Sequence, residues 1–389
     1  MVSPARDPHP SSPMTVAVVG GGIAGLSAAW GLCRRGLDVV VYDDRATGRA
    51  SPVAAGMLAP GSELDYGHDA LHRLCEESLA RWDRFADEIS AASGIDIAPR
   101  PPGTLLVSIH PDDDDRLVRR AALLATQSVP AEMLSAAMCR QCEPELTNRA
   151  RGCLRIPRDT SVDAPVVIRA LRAALQDNGA RIVTDRVLLA RSGGRVIGVR
   201  RGDRLVPTDA VVLAAGVQST SLAADVDETV PTRPVKGEIL RLRTSDDLLT
   251  QTVRARVDEV DVYLVPRDDG EIVVGATSAD VGHDTRRTPR AILDLLSAAT
   301  TVLPQLRDAE LLSHDVGLRP GTPDNGPYLG ATEVDGLFVA TGHYRHGFLL
   351  APITADALAA AVLGEPLNPA AADFTLARHR SASHRRQTV

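Results

Sequence analysis

Two arginines stand in turns that hold them still. Arg319 lies in Gly317-Leu-Arg-Pro-Gly-Thr-Pro-Asp324, which leads into Pro327-Tyr-Leu-Gly330, and Arg345 lies in Gly342-His-Tyr-Arg-His-Gly-Phe-Leu-Leu-Ala-Pro352. Each follows an apolar run, and the glycines and prolines around it restrict the backbone. A guanidinium placed this way is a planar fork with a permanent charge, suited to two parallel hydrogen bonds with a carboxylate. No Ser/His/Asp arrangement and no pair of carboxylates stands out along the chain. Chemistry supplied by a bound cofactor would need neither, with the protein positioning the reacting carbon.

The cofactor loop is near the N-terminus. Residues 15 to 19 read as a short buried strand, residues 24 to 35 as a helix ended by Gly36, and residues 38 to 42 as a second strand. Between the first two stands Gly20-x-Gly22-x-x-Gly25. The first glycine permits the tight turn, the second lets backbone approach a pyrophosphate, and the third lets helix and strand pack closely. Ile23 and Ala24 open the helix, whose N-terminus faces the anion. Asp43 ends the second strand about twenty residues on, where a carboxylate meets ribose hydroxyls, and Asp44 follows it. A strand, helix and strand in this order imply a parallel sheet. The glycine pattern alone would fit a plain turn; with its strand, helix and acid it predicts a dinucleotide.

Further along, residues 68 to 92 predict a helix, a strand begins after the breaker cluster at 99 to 103, and residues 113 to 125 and 131 to 140 predict two more helices. Residues 164 to 178 predict an amphipathic helix leading to a strand at 180 to 183. A hairpin turns at Gly193-Gly194, and residues 209 to 216 form an apolar strand closing at Gly216. Residues 237 to 242, 262 to 266 and 271 to 275 alternate in polarity, the texture of a half-solvated antiparallel sheet. A helix over 289 to 302 follows, and then the chain returns to the cofactor-binding part.

With these motifs in order, residues 15 to 370 resemble the D-amino-acid-oxidase superfamily of FAD enzymes, and within it the glycine oxidases of thiamine biosynthesis. The resemblance implies an α/β fold: a Rossmann-type FAD-binding domain of the glutathione-reductase kind with an α+β substrate domain built on an antiparallel sheet. It divides the chain into a disordered tail (1–14), a discontinuous FAD domain (15–87, 158–233 and 314–370), a substrate domain (88–157 and 234–313) and a basic tail (371–389). It favours FAD over NAD, because Ala50-Ser-Pro-Val-Ala-Ala-Gly-Met-Leu-Ala-Pro60 is similar to the family's second FAD loop. Ala50, Ser51, Gly56, Met57 and Leu58 would run along the flavin there. Val187 falls where the family makes a main-chain adenine contact, and Gly216 closes a further, degenerate flavoprotein signature. His343, Tyr344, Arg345, His346, Gly347, Phe348 and Leu349 would cover the pyrimidine edge of the isoalloxazine with backbone N–H groups. Related sarcosine oxidases attach flavin to a cysteine in the segment matching 317 to 324; no cysteine stands there, so FAD should be held non-covalently.

On the substrate side, Arg319 matches the family's carboxylate clamp, and Tyr263 matches a tyrosine that shares the carboxylate. Arg345 keeps a family arginine at the flavin edge or pocket wall. Ser278 and Asp261 stand where relatives place a pocket methionine and histidine, and these departures leave side-chain preference open. The resemblance implies oxidation of glycine or a small amino acid by O2, giving an imine and H2O2, with hand-over of the imine to a thiazole synthase. Sarcosine, D-amino-acid or imino-acid oxidation is the near alternative, and a tRNA-modifying or complex-subunit relative the distant one. It also implies a homotetramer.

Bulk properties agree with this class. The chain has 389 residues, 44% hydrophobic and 24% charged, enough for two domains. A net charge of −7 argues against nucleic acid as a partner, and no apolar run approaches the roughly 20 residues needed to span a bilayer. Residues 1 to 13 lack an apolar segment of the secretory kind. Five cysteines without such a signal suggest free thiols in the cytoplasm. Cys139-Arg-Gln-Cys142 has CxxC spacing but no second pair for zinc, and no metal is expected.

Overall fold

The computed structural model describes residues 13–379; the rest of the expected tails lies outside the described residues. Its first layer is a six-stranded sheet in the order Tyr328–Ala331, Leu337–Thr341, Ala210–Leu213, Thr15–Val19, Asp38–Tyr42 and Arg181–Val183. All neighbours are parallel except the first pair. Its central strands are almost wholly buried, which suits runs such as Val16–Val19 and Val39–Val41. Helices Ile23–Arg34, Ala164–Asp177 and Ala351–Val362 pack into its principal core, together with Trp82, Phe85 and Ile89.

The second layer is an eight-stranded sheet in the order Glu310–Gly321, Arg233–Arg243, Glu271–Gly275, Val260–Pro266, Thr252–Val257, Thr104–Ser108, Gly152–Ile156 and Glu132–Ser135. Every pairing is antiparallel except that of Thr252–Val257 with Thr104–Ser108. Helix Pro289–Val302 lies on its core side through Leu295, Ala298, Ala299 and Val302. No helix among the described residues is long and apolar enough to cross a membrane.

Several expectations need correction. Residues 131 to 140 are not one helix: Glu132–Ser135 is an edge strand paired with Gly152–Ile156, and Ser135 then caps the helix Ala136–Cys142 by accepting the Met138 N–H. Strand pairing overrides local helical preference here. Residues 68 to 92 form two helices, Asp69–Leu79 and Trp82–Ser93, which bend at Ala80-Arg81 so that Trp82 enters the core. The boundary drawn at 313/314 falls inside Glu310–Gly321, which pairs with Arg233–Arg243 from Arg243↔Glu310 to Arg233↔Gly321. Arg319 therefore belongs to the second sheet, and the chain rejoins the first only at Tyr328. The boundary at 87/88 cuts Trp82–Ser93, whose Ile89 still packs in the first core. Residues 371 to 379, expected to open the basic tail, pack on the folded body. Phe374 and Leu376 are buried, and Arg378 pairs with Asp324 and stacks 4.4 Å from the Tyr328 ring centre.

Candidate active site

A cavity of about 860 Å³ runs between the two sheets. At one end lie Gly20, Gly22, Ile23 and Ala24, where the first strand turns into helix Ile23–Arg34. Gly25 itself does not line the cavity. A Cβ there would lie 2.0 Å from the Gly20 carbonyl oxygen, so this position presses the helix onto the turn. Gly22 is different: a Cβ would meet only Ser51 Oγ at 3.1 Å, and its open side faces the cavity. Ser51 Oγ accepts the Ile23 N–H at 3.0 Å, which ties the 50–56 loop to the helix start. Asp43, Asp44, Ala50, Gly56 and Met57 line the same stretch, as do Val187 and Gly216. The buried Asp43 carboxylate is not isolated: Arg49 and Arg172 lie 3.2 and 3.1 Å from it. Leu58 and Leu349 do not reach the cavity; both side chains are buried in the principal core.

His343, Tyr344, Arg345, His346, Gly347 and Phe348 line the middle of the cavity. Their turn is fastened from behind: Trp82 Nε1 donates to the Phe348 carbonyl at 3.1 Å, and Ser78 Oγ donates to that of Leu349 at 2.7 Å. His343 exchanges a hydrogen bond with Thr354 Oγ1 at 2.9 Å. Burial holds the His343 imidazole down to about 4, with His346 adding to the effect. Burial also lowers His346, against the opposing charge of Glu63.

The far end is built on one face of the second sheet. A Cβ at Gly237 would lie 2.5 Å from the Arg319 guanidinium carbon, so that side chain lies flat across the neighbouring strand. Arg319 Nη1 donates to the Thr277 carbonyl at 3.1 Å. A Cβ at Gly275 would lie 2.3 Å from the Tyr263 hydroxyl, which reaches over its neighbour from the other side. Strands Arg233–Arg243 and Glu271–Gly275 are adjacent, so guanidinium and phenol converge over two bare glycines. Burial raises the Tyr263 phenol above its ordinary range, and the Arg319 charge opposes this. Among the described residues no carboxylate lies within ion-pair distance of Arg319. Ser278 and Asp261 sit exposed at the rim, the latter 3.9 Å from Arg116.

Sequence reading missed two paired charged groups here. Glu63 lines the cavity, with Arg254 bonded to it and Arg345 Nη1 3.9 Å away. Burial would raise its carboxyl, but Arg254, His346 and Arg345 outweigh this and hold it well below the usual range. Asp159, fully buried, fixes the preceding turn by accepting the Gly61 and Ser62 N–H groups at 2.9 Å each. The signal for Glu63 was its place straight after the 50–60 loop. Arg254 faces Tyr263 directly across antiparallel strands, a register that linear spacing does not show.

Residues 15–361 match the family described as DAO, FAD dependent oxidoreductase. The chain belongs to this family. It is 33% identical over 372 residues to a glycine oxidase of Geobacillus kaustophilus, covering 94% of this chain and 97% of that protein. A crystal structure of glycine oxidase from Geobacillus kaustophilus superposes with a TM-score of 0.86 at 32% identity, over 94% of this chain and 98% of that one. A bifunctional ThiO/ThiG protein of Trichormus variabilis is 32% identical over 366 residues; the match covers 93% of this chain but 55% of that relative, so the chain spans about half its length.

The residues present fit the family's FAD. The open face of Gly22, the start of helix Ile23–Arg34 and Asp43 suit a pyrophosphate and ribose at one end, and the fastened 343–348 turn suits a flavin ring at the other.

Two outcomes follow. Gly22→Val should fold with native far-UV circular dichroism yet purify without flavin absorbance, because its methyl groups enter the cavity; a yellow variant would contradict the placement. His343 stays neutral when folded down to about 4, whereas its ordinary value is 6.5. As pH falls from about 6.5 to about 4, the unfolded chain gains a proton that the folded chain refuses, and stability is lost. Urea midpoints at pH 7 and 5 should therefore fall further for the wild type than for His343→Gln; equal losses would contradict the assignment.

Proposed function

We propose that this chain is an FAD-dependent oxidase of glycine or a similarly small amino acid, releasing an imine and H2O2. The observation that carries this reading is the convergence of Arg319 and Tyr263 over Gly237 and Gly275, a cation and a phenol with no acidic partner among the described residues. Arg319 offers a two-pronged donor to the substrate carboxylate, and the Tyr263 hydroxyl donates a further bond. Both side chains rest on backbone, so little ordering remains for the substrate to impose, and Cα is fixed relative to the 343–348 turn. The Gly20–Gly25 loop and the 343–348 turn would hold FAD, which would supply hydride acceptance from that carbon and reoxidation by O2. Backbone N–H groups of the 343–348 turn other than those of Tyr344 and His346, which bond Pro320 and His343, would steady negative charge gained by the flavin. The names of the relatives, glycine oxidase and ThiO/ThiG, support glycine as substrate and thiamine synthesis as setting.

The imine would hydrolyse to the 2-oxo acid, or pass to an enzyme that builds the thiazole. Relatives that join both names in one polypeptide support the second route. A sarcosine or D-amino-acid oxidase would use the same clamp, and the exposed Ser278 and Asp261 at the rim leave room for a larger side chain.

Arg319→Ala should lower kcat/KM for the best amino acid by roughly 30-fold or more, since removing one member of a desolvated charge pair costs about 2–5 kcal/mol. Flavin content should be unchanged, and amines without a carboxylate should respond little. Peroxide-coupled assays check this; an undiminished kcat/KM would place the clamp elsewhere.

A further inference from the structure

The clamp accounts for the substrate's carboxylate and leaves Glu63 without a task. Its two oxygens are unequal. Oε1 is taken by Arg254, which also reaches Ser62 Oγ at 3.1 Å. Oε2 lies 3.9 Å from Arg345 Nη1, too far for a hydrogen bond. Among the described residues no hydrogen-bond donor engages Oε2, and Glu63 lines the cavity. Arg254 stands opposite Tyr263 in the sheet, on the side away from Arg319, and the Glu63 charge it holds is close enough to act on the phenol. Asp159 fixes the turn that carries Glu63. An anion held in this way, with one oxygen engaged by Arg254 and the other without a donor beside the cavity, suits a small cation rather than another guanidinium.

We propose that Glu63 Oε2 receives the α-ammonium group of the substrate, so that the cavity reads a zwitterion with Arg319 and Tyr263 at one pole and Glu63 at the other. This rests on the carboxylate clamp proposed above. Without Glu63 the cavity would present Arg254, Arg319 and Arg345 together and would accept any carboxylate. With it, an acid lacking the amine forfeits a charge-assisted bond, and a second carboxylate at this pole meets a like charge. Glu63 is thus a substrate-binding residue that sets specificity for amino acids over plain acids.

The test compares ligand pairs on flavin-loaded enzyme. Glycine, sarcosine and D-alanine are measured by KM and kcat; acetate and propionate, which lack the amine, are measured by their perturbation of the flavin spectrum. Glu63→Gln should raise KM for the amino acids by about 10- to 100-fold, the loss of a charged hydrogen bond, while acetate and propionate bind as well or more tightly. Glu63→Asp, which keeps the charge, should fall between Gln and wild type and guards against a folding defect in the first variant. Equal weakening of acetate and glycine would reduce Glu63 to a support for Arg254 and overturn the proposal, as would an unchanged KM. Wild-type turnover of sarcosine or D-alanine but not glycine would refute the glycine reading while leaving the Glu63 comparison intact. Failure of all three amino acids to bind would refute both.

Discussion

The guanidinium of Arg319 lies on the backbone of the next strand, and it can do so because position 237 carries no side chain. The same holds for the phenol of Tyr263 over position 275. A pleated sheet normally raises a picket of side chains on each face; here two adjacent strands drop one each, and the gap becomes a floor. The polar ends of two long side chains enter it from opposite directions. The shape of this end of the cavity is therefore set by what the sheet lacks, and the bare patch faces the nucleotide-binding layer.

The charges in and behind the cavity follow a common rule. Each of three carboxylates is compensated: buried Asp43 by Arg49 and Arg172, partly buried Glu63 by Arg254 with Arg345 more distant, and Asp159, behind the lining, by two backbone N–H groups. The compensation is uneven in a useful way. Asp159 is pushed up to about 6 by burial, its backbone bonds only partly offsetting this, whereas Glu63 is held ionised by cations. One acts as a brace for a turn and the other as a fixed charge presented to the cavity. Trp82 and Ser78 brace the opposite wall, reaching the 348–349 carbonyls from helices more than 260 residues earlier in the chain.

What could be read in advance followed the range of the interactions. The nucleotide loop is contiguous, so strand, glycines, helix and Asp43 all appear within some thirty residues. The alternation after residue 234 showed an antiparallel sheet for a similar reason. Arg319 was singled out by its framing glycine and proline, although its strand was assigned to the wrong layer, since pairing with Arg233–Arg243 spans about eighty residues. Glu63 and Arg254 were overlooked because their partnership spans 191 residues; Glu63's place straight after the 50–60 loop was its one local mark, and Arg254 had none. The Glu132–Ser135 strand was mistaken for helix because only its pairing with Gly152–Ile156 makes it extended.

The Arg319–Tyr263 floor is proposed to hold an amino acid with its α-carbon at the flavin. Anaerobic mixing of the flavin-loaded protein with glycine in a stopped-flow spectrometer tests it most directly. The flavin absorbance near 450 nm should bleach in a first-order phase whose rate saturates with glycine, and acetate should slow it by competition. A flavin that stays oxidised with glycine, sarcosine and D-alanine alike, or bleaching indifferent to acetate, would contradict the account.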